Sequence, residues 1–81
     1  MRREGLRKGV VDICLPIPRG GFHGLYVECK IHPNVLTVDQ SAFLQAMAIV
    51  GHYTSVWWTF DQAINELHRY VRGEIVRKVE K

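Results

Sequence analysis

A dense cluster of prolines and glycines separates two stretches of alternating residues. The cluster consists of Pro16, Pro18, Gly20, Gly21 and Gly24. This density ends regular structure and requires a loop. In residues 10–15 and again in 25–31, apolar residues alternate with polar ones, which predicts a β-strand on each side of the loop. The sequence therefore predicts a β-hairpin with a long proline- and glycine-rich connection.

The predicted hairpin brings two acidic residues together. Closing the loop with Pro16 opposite Gly24 places Asp12 opposite Glu28. Opposed residues have Cβ atoms about 5 Å apart, and two carboxylates at that separation repel by about 3 kcal/mol at an intermediate dielectric. A divalent cation such as Mg²⁺ offsets this repulsion and commonly uses one or two carboxylates. Lys30 follows on the same face, about 6.6 Å along the strand, where it can orient a nucleophile or stabilise developing charge.

Two other interpretations of these residues stay open. Glu28 and Lys30 also fit an ordinary solvated strand face. A slip of one residue in the pairing would send Asp12 to the opposite face.

In the second strand, one face is predicted to enter the core and the other to carry the chemistry. The core face consists of Leu25, Val27, Cys29 and Ile31, and the other face of Tyr26, Glu28 and Lys30.

The rest of the chain predicts two helices around a third strand. Thr37 and Gln40 have the spacing of a capping box that opens the first helix, and Gly51 suits its C-terminal cap. The third strand is predicted over residues 52–58, parallel to the second because a helix joins them. Thr59 and Gln62 repeat the capping-box pattern, and Gly73 is predicted to end the second helix. The predicted apolar stripes are Phe43, Leu44, Met47, Ala48 and Val50 in the first helix, and Ala63, Ile64, Leu67, Tyr70 and Val71 in the second.

These elements predict an α/β domain with a mixed sheet in the order β-β-α-β-α. We assign residues 1–73 to a single domain and 74–81 to a C-terminal tail. A chain of 81 residues is near the lower size limit for one self-sufficient core, so a partner subunit is an expectation from size alone. Consecutive Trp57 and Trp58 must point to opposite faces of their strand. We expect one ring in the core and the other at a subunit interface, with base stacking as the alternative.

Charge and composition narrow the function classes. Lys and Arg outnumber Asp and Glu by 11 to 8, and basic residues cluster at the start, including Arg7 and Lys8. This surplus favours a polyanionic partner but also fits a solvated surface. We find no secretory segment, and the longest apolar stretch, residues 42–50, is far shorter than the ~20 residues that cross a bilayer. We expect a soluble cytoplasmic protein with reduced cysteines and no membrane partner.

A zinc site is not favoured by the spacing of the sulfur and imidazole side chains. Cys14, His23, Cys29 and His32 match no familiar paired-cysteine pattern. In the predicted register, Cys14 and Cys29 lie on opposite faces of the sheet, so a disulfide between them is not expected either.

The run from Arg7 to Lys30 resembles the virus-type replication-repair nuclease (VRR-NUC) family of the PD-(D/E)XK superfamily. The resemblance covers roughly residues 2–72, and its most distinctive part is the proline-bounded, glycine-rich loop between the two acidic strands. It implies a restriction-endonuclease-like fold and a Mg²⁺- or Mn²⁺-dependent endonuclease acting on DNA. It further implies that Asp12, Glu28 and the backbone carbonyl of Cys29 are metal ligands and that Lys30 is the catalytic lysine. Gln40 matches a glutamine that such nucleases often carry at the start of the following helix.

The resemblance also sets expectations for partners. Compact phage and bacterial relatives look like homodimers that cut branched DNA such as four-way junctions, which implies a bacterial or phage-infected cell as the location. Arg19, His23 and His32, together with Arg7 and Lys8, are candidates for phosphate contacts, which would weaken steeply with salt.

The sequence departs from the family pattern in two places. Val11 stands where the family usually has proline. The N-terminal helix of the family is expected to be absent or truncated. A catalytically inactive DNA-binding module of the same fold is therefore the alternative, and a purely structural assembly protein is a third hypothesis.

Overall fold

The protein is built on a three-stranded mixed sheet with one helix on each face. The structure is a computed structural model and describes residues 11–78. Along the chain the elements are β1 (Ile13–Leu15), β2 (Leu25–Cys29), α1 (Val38–Ile49), β3 (Tyr53–Trp57) and α2 (Phe60–Val71). The predicted α/β class and the β-β-α-β-α order are confirmed.

The sheet has the order β1-β2-β3. The β1 and β2 strands pair antiparallel, with Ile13 opposite Val27 and Leu15 opposite Leu25. This is the register predicted from the closure of the loop, and continuing it by one residue puts Asp12 opposite Glu28. The β2 and β3 strands are parallel, with Glu28 beside Val56, as expected for two strands joined by a helix.

The predicted core face of β2 is correct in its first half and wrong in its second. Leu25 and Val27 are fully buried, but Cys29 is exposed and Ile31 lies outside the strand with 77% of its surface exposed. The physical reason is that β3 ends at Trp57, whose carbonyl accepts the last hydrogen bond of this ladder from Lys30 N–H. Beyond that point no strand within residues 11–78 covers the chain. Val10, the predicted start of the first strand, lies outside the described residues.

The hydrophobic core lies between the sheet and α2. Its buried members are Leu25, Val27, Trp57 and Tyr70, with Ala63, Leu67 and Ile75 among the half-buried residues packed around them. The hydroxyl of Tyr70 donates to the carbonyl of Ile17 at 2.7 Å, so the one polar atom of this ring is satisfied. Trp57 is the core tryptophan, as predicted for one of the two adjacent rings.

Both helices begin at the predicted threonines and end at the predicted glycines. At the end of α1, Gly51 has φ 104°, and the N–H groups of Gly51 and His52 donate to the carbonyls of Ala48 and Met47. This is a Schellman motif, which requires a left-handed residue and therefore favours glycine. Gly73, with φ 76°, ends α2 in the same way. The two glycines therefore set where each helix stops.

The apolar stripes of the helices are only partly covered. In α1, Leu44 is buried and Phe43 and Met47 are half-buried, but Ala48 and Val50 are exposed, so their predicted place in the core is wrong. In α2, Ala63, Leu67 and Tyr70 pack as predicted, whereas Ile64 and Val71 remain 40% and 38% exposed. Three strands form too narrow a surface to cover the full width of either helix.

The proline- and glycine-rich loop packs against the segment that follows α2. The carbonyl of Gly20 accepts from Arg77 N–H at 2.8 Å, and a Cβ at Gly20 would collide with the carbonyl of Ile75. Arg19 Nε donates to the carbonyl of Val71 at 2.8 Å, at the C-terminal end of α2. The boundary between domain and tail at residue 73 stays a prediction. Neither described helix has the length and apolarity that crossing a bilayer requires.

Candidate active site

The site is centred on Glu28, which points from β2 toward the side of the sheet covered by α1. Its surface is only 3% exposed. The Oε2 atom accepts a hydrogen bond from Gln40 Nε2 at 2.8 Å and lies 3.3 Å from Lys30 Nζ. The Oε1 atom is buried and has no hydrogen-bond partner among the described residues. Burying a polar oxygen without a partner is costly, so this atom is the site's least satisfied feature.

Asp12 joins the site through the backbone of β2. Its Oδ2 atom accepts from Cys29 N–H at 3.0 Å. Asp12 lies just before β1, so its carboxylate takes the hydrogen bond that a backbone carbonyl would accept if the ladder continued. The N–H of Cys29, the residue after Glu28, therefore holds the Asp12 carboxylate at the end of β2 where Glu28 lies, as the predicted register requires.

Gln40 is the third helical residue of α1 and has two sets of contacts. Its Oε1 atom accepts from Thr37 N–H at 3.0 Å, and its own N–H donates to Thr37 Oγ1 at 3.0 Å, which completes the predicted capping box. The same side chain donates from Nε2 to Glu28. The capping box therefore holds the amide of Gln40, and that amide in turn holds the carboxylate of Glu28. The predicted capping role is present, and the role of Gln40 in a nuclease site stays a prediction.

The electrostatics of this strand end are dominated by the two carboxylates. Partial desolvation, followed by the negative charges of Asp12 and Glu28, raises the pKa of the Cys29 thiol, which keeps it protonated. The side chain of Lys30 is only 14% exposed and that of Glu28 only 4%. A pair desolvated to this degree stabilises a structure less than its separation suggests, so stability alone is a weak reason for its presence.

The donor atoms fit a hard divalent cation. Glu28 Oε1, the Asp12 carboxylate and the carbonyl of Cys29, the three predicted ligands, are all oxygen donors, the type that Mg²⁺ and Mn²⁺ prefer. In residues 11–78 no cluster of three His, Cys, Asp or Glu side chains is placed to hold a metal ion. The available set therefore resembles a magnesium site that keeps several waters more than a zinc site, which takes four protein ligands when structural.

The predicted DNA-contacting residues are not all near this site. His32 stacks on Trp58, with ring centroids 4.6 Å apart, just beyond the strand end. Arg19 and His23 lie in the loop before β2, whereas Glu28 lies near the opposite end of that strand. His23 packs edge-on against His52 at 5.7 Å. Arg7 and Lys8 lie outside the described residues.

A second acidic group, which the sequence interpretation missed, lies on the other face of the sheet. The carboxylate of Glu66 in α2 accepts from Tyr53 Oη at 2.8 Å and also from Ser55 Oγ and Trp57 Nε1. The signal was available, because alternate residues of one strand face each carry a donor. A strand with that pattern on its core side indicates an acceptor on the helix that packs against it.

Comparison with known proteins supports the resemblance. No family model and no curated protein matches the chain. One similar solved structure is a VRR_NUC domain protein, with a TM-score of 0.77 and 28% sequence identity over 98% of this chain and 66% of that one. The chain has a VRR-NUC-like fold. The predicted resemblance to VRR-NUC domains is thereby confirmed, and the neighbour's name indicates a nuclease domain. The chain spans about two thirds of the length of that neighbour.

Proposed function

We propose that the chain is a metal-dependent nuclease domain that hydrolyses phosphodiester bonds in DNA. The observation that carries this proposal is Glu28, a carboxylate 3% exposed whose Oε1 atom has no partner among the described residues. Asp12 and Lys30 lie beside it. A carboxylate in this state, next to a second carboxylate and a lysine at the end of a strand, is expected at a reaction site and not in a stabilising core.

A Mg²⁺ or Mn²⁺ ion would be held by Asp12, Glu28 and the carbonyl of Cys29. When bound, the ion supplies positive charge beside the phosphate under attack. Its binding would also remove the cost of leaving Oε1 unpaired. The donor set is incomplete by itself, which suits an ion that keeps waters and binds substrate phosphate.

Lys30 is the proposed catalytic lysine. Its Nζ atom lies 3.3 Å from Glu28 Oε2 and is mostly shielded from solvent. From this position it can donate a hydrogen bond to a phosphate oxygen or to the attacking water, where negative charge develops in the transition state. Gln40 is a positioning residue, because it acts through the Glu28 carboxylate that it holds.

The substrate we propose is branched DNA, such as a four-way junction, cut by a homodimer. Lys and Arg exceed Asp and Glu by 11 to 8 in the whole chain, which favours binding to phosphate backbones. Arg7, Lys8, Arg19, His23 and His32 are the proposed phosphate contacts. Such contacts position DNA without reading its sequence, so affinity should fall linearly with the logarithm of salt concentration.

Cleavage of a labelled four-way junction tests this proposal. We expect products with Mn²⁺ and none with EDTA, and a loss of about 100-fold or more in Asp12→Ala. Asp61→Ala is the matched control, because Asp61 is an exposed aspartate in the first turn of α2. Binding without any metal-dependent product would support the alternative, an inactive DNA-binding module. Negligible DNA affinity at low salt would contradict both and favour a structural assembly protein.

A crystal soaked in Mn²⁺ gives an independent test of the metal ligands. We expect anomalous density beside Asp12 and Glu28. Density elsewhere, with cleavage intact, would overturn the assignment of these ligands while leaving the activity in place. The same crystal would show whether two copies assemble.

A further inference from the structure

An open groove lies where the ends of β2 and β3 meet the start of α2. Its volume is about 270 Å³, and its lining includes Lys30, Trp58 and Phe60. Most of this lining is apolar, and the part of the chain that the structure describes contributes no carboxylate to it. The groove therefore combines aromatic rings with one cationic side chain.

Two aromatic rings of the groove, those of Trp58 and Phe60, are available for contact. Phe60 is the first residue of α2, and 78% of its surface is exposed. Exposing a phenylalanine forgoes about 2 kcal/mol of burial, so an exposed ring at this place needs a reason. Trp58 is half-buried, and His32 stacks on it at an interplanar angle of 20°, which restrains the indole. A restrained aromatic ring loses little conformational freedom when a second planar group contacts it.

The groove is continuous with the proposed active site. Lys30 lines the groove and also pairs with Glu28, and Cys29, whose N–H holds Asp12, lies in the same lining. A DNA strand with a phosphate at Lys30 would therefore place a neighbouring base at the mouth of the groove.

We propose that this groove stacks an unpaired nucleobase of the DNA strand held at the active site. This inference rests on the proposed nuclease function and narrows its branched substrates to those that present an unpaired base near the branch point. A nucleotide fits both parts of the groove, because its base can stack on Trp58 and Phe60 while its phosphate contacts Lys30. Bases inside a duplex are stacked on their neighbours and cannot enter. Every base has a π-face, so the groove selects single-stranded character and not sequence.

A second copy of the chain is a poorer occupant. Stable protein interfaces bury about 800 Å² on each partner, whereas a groove of about 270 Å³ accepts little more than one planar ring. The cation at its edge also favours a phosphate-bearing ligand over an apolar protein surface.

Intrinsic fluorescence can report on this groove, because the chain's two tryptophans, Trp57 and Trp58, both line it. The probes are a single strand of thymidines and the same strand with abasic central positions, both titrated in EDTA so that cleavage cannot occur. We expect the thymidine strand to quench the fluorescence and to bind about tenfold more tightly than the abasic strand.

Substitutions at the groove complete the test. Phe60→Ala should lower the affinity for thymidine by about tenfold without changing that for the abasic strand, and Trp58→Phe should restore binding lost in Trp58→Ala. Val38→Ala is the matched control, since Val38 is the exposed first residue of the other helix. An unchanged preference for thymidine in Phe60→Ala and Trp58→Ala would overturn the proposal. So would a preference that stays unchanged while Phe60→Ala dissociates a dimer in sedimentation, which would assign the groove to a second copy.

The two proposals fail separately. Base-dependent binding without metal-dependent cleavage in Mn²⁺ would leave the groove in place and remove the nuclease function. Metal-dependent cleavage that is unchanged in both Phe60→Ala and Trp58→Ala would keep the nuclease function and remove the proposed role of the groove.

Discussion

A glutamate lies between the sheet and a helix on each face of the sheet, Glu66 on α2 and Glu28 on β2, and the two differ in how their oxygens are satisfied. On the face toward α2, both oxygens of Glu66 are occupied, by the Tyr53, Ser55 and Trp57 donors. On the face toward α1, Glu28 has two partners on Oε2 and none on Oε1 among the described residues. The first carboxylate completes a hydrogen-bond network, whereas the second keeps a lone pair available in a buried place.

This difference indicates opposite roles for chemically identical groups. A fully satisfied carboxylate holds a helix onto a strand, because breaking its bonds would leave several donors unpaired. A partly satisfied buried carboxylate reduces stability and is retained where an ion or substrate completes it. Substitutions in the two glutamates should therefore separate stability from activity.

Removing the Glu66 carboxylate should have the largest effect on stability. In Glu66→Ala, the donors on Tyr53, Ser55 and Trp57 lose their acceptor. We expect a loss of about 3 kcal/mol in the free energy of unfolding and a fall of roughly 15 °C in Tm, measured by thermal circular dichroism. Glu66→Gln keeps one acceptor oxygen, so its free energy of unfolding should fall by less than that of Glu66→Ala. A wild-type melting curve for Glu66→Ala would show that the network does not hold α2.

Neutralising Glu28 should lower cleavage strongly and leave stability almost unchanged. Glu28→Gln keeps the shape of the side chain and an acceptor oxygen for Gln40 and Lys30, so we expect the unfolding free energy to change by no more than about 1 kcal/mol. Cleavage should fall by about 100-fold or more, measured with Mn²⁺ on junction DNA. Glu74→Gln is the control, since Glu74 forms a surface ion pair with Arg72. Retained cleavage in Glu28→Gln would end the contrast between the two carboxylates.

The two helix starts provide a smaller and better matched comparison. Gln40 and Gln62 occupy equivalent positions after Thr37 and Thr59, and each N–H donates to its threonine. Gln40→Ala and Gln62→Ala should each cost about 1 kcal/mol of stability. Gln40→Ala alone should also lower cleavage by about tenfold, because it releases Glu28. Equal effects of Gln40→Ala and Gln62→Ala on cleavage would show that Gln40 acts only as a helix-capping residue.

The smallest expected effect is a pH dependence on the α2 face. Burial and the hydrogen bond to Glu66 raise the pKa of Tyr53 to about 12 from its ordinary value of 10.0. The folded state therefore keeps this proton while the unfolded state loses it, so the contribution of Tyr53 to stability is complete below pH 10 and is lost as pH rises toward 12. We expect about 1 kcal/mol after allowance for solvent screening. Denaturant titrations should show a flatter alkaline limb in Tyr53→Phe than in the wild type.

Local patterns predicted much of this architecture, and the reasons are physical. Capping threonines and terminal glycines act within one turn of a helix, so both helix starts and both helix ends were predictable. One detail differs: at α2, Gln62 Oε1 accepts from Trp58 N–H and not from the capping residue, so the second capping box is half formed. The loop closure predicted the register of β1 and β2, and hence the approach of Asp12 to Glu28.

By itself, the sequence determined where both helices begin and end, the register of the hairpin, and the acids and the lysine that lie at one strand end. These follow from hydrogen bonds and alternation over short distances along the chain. Tertiary structure alone decided that Glu28 has an oxygen without a partner, that Glu66 has three donors, that Ile31 and Val50 are exposed, and that Phe60 and Trp58 line a groove beside Lys30. Burial and satisfaction depend on which distant surfaces meet, and no local pattern contains that information.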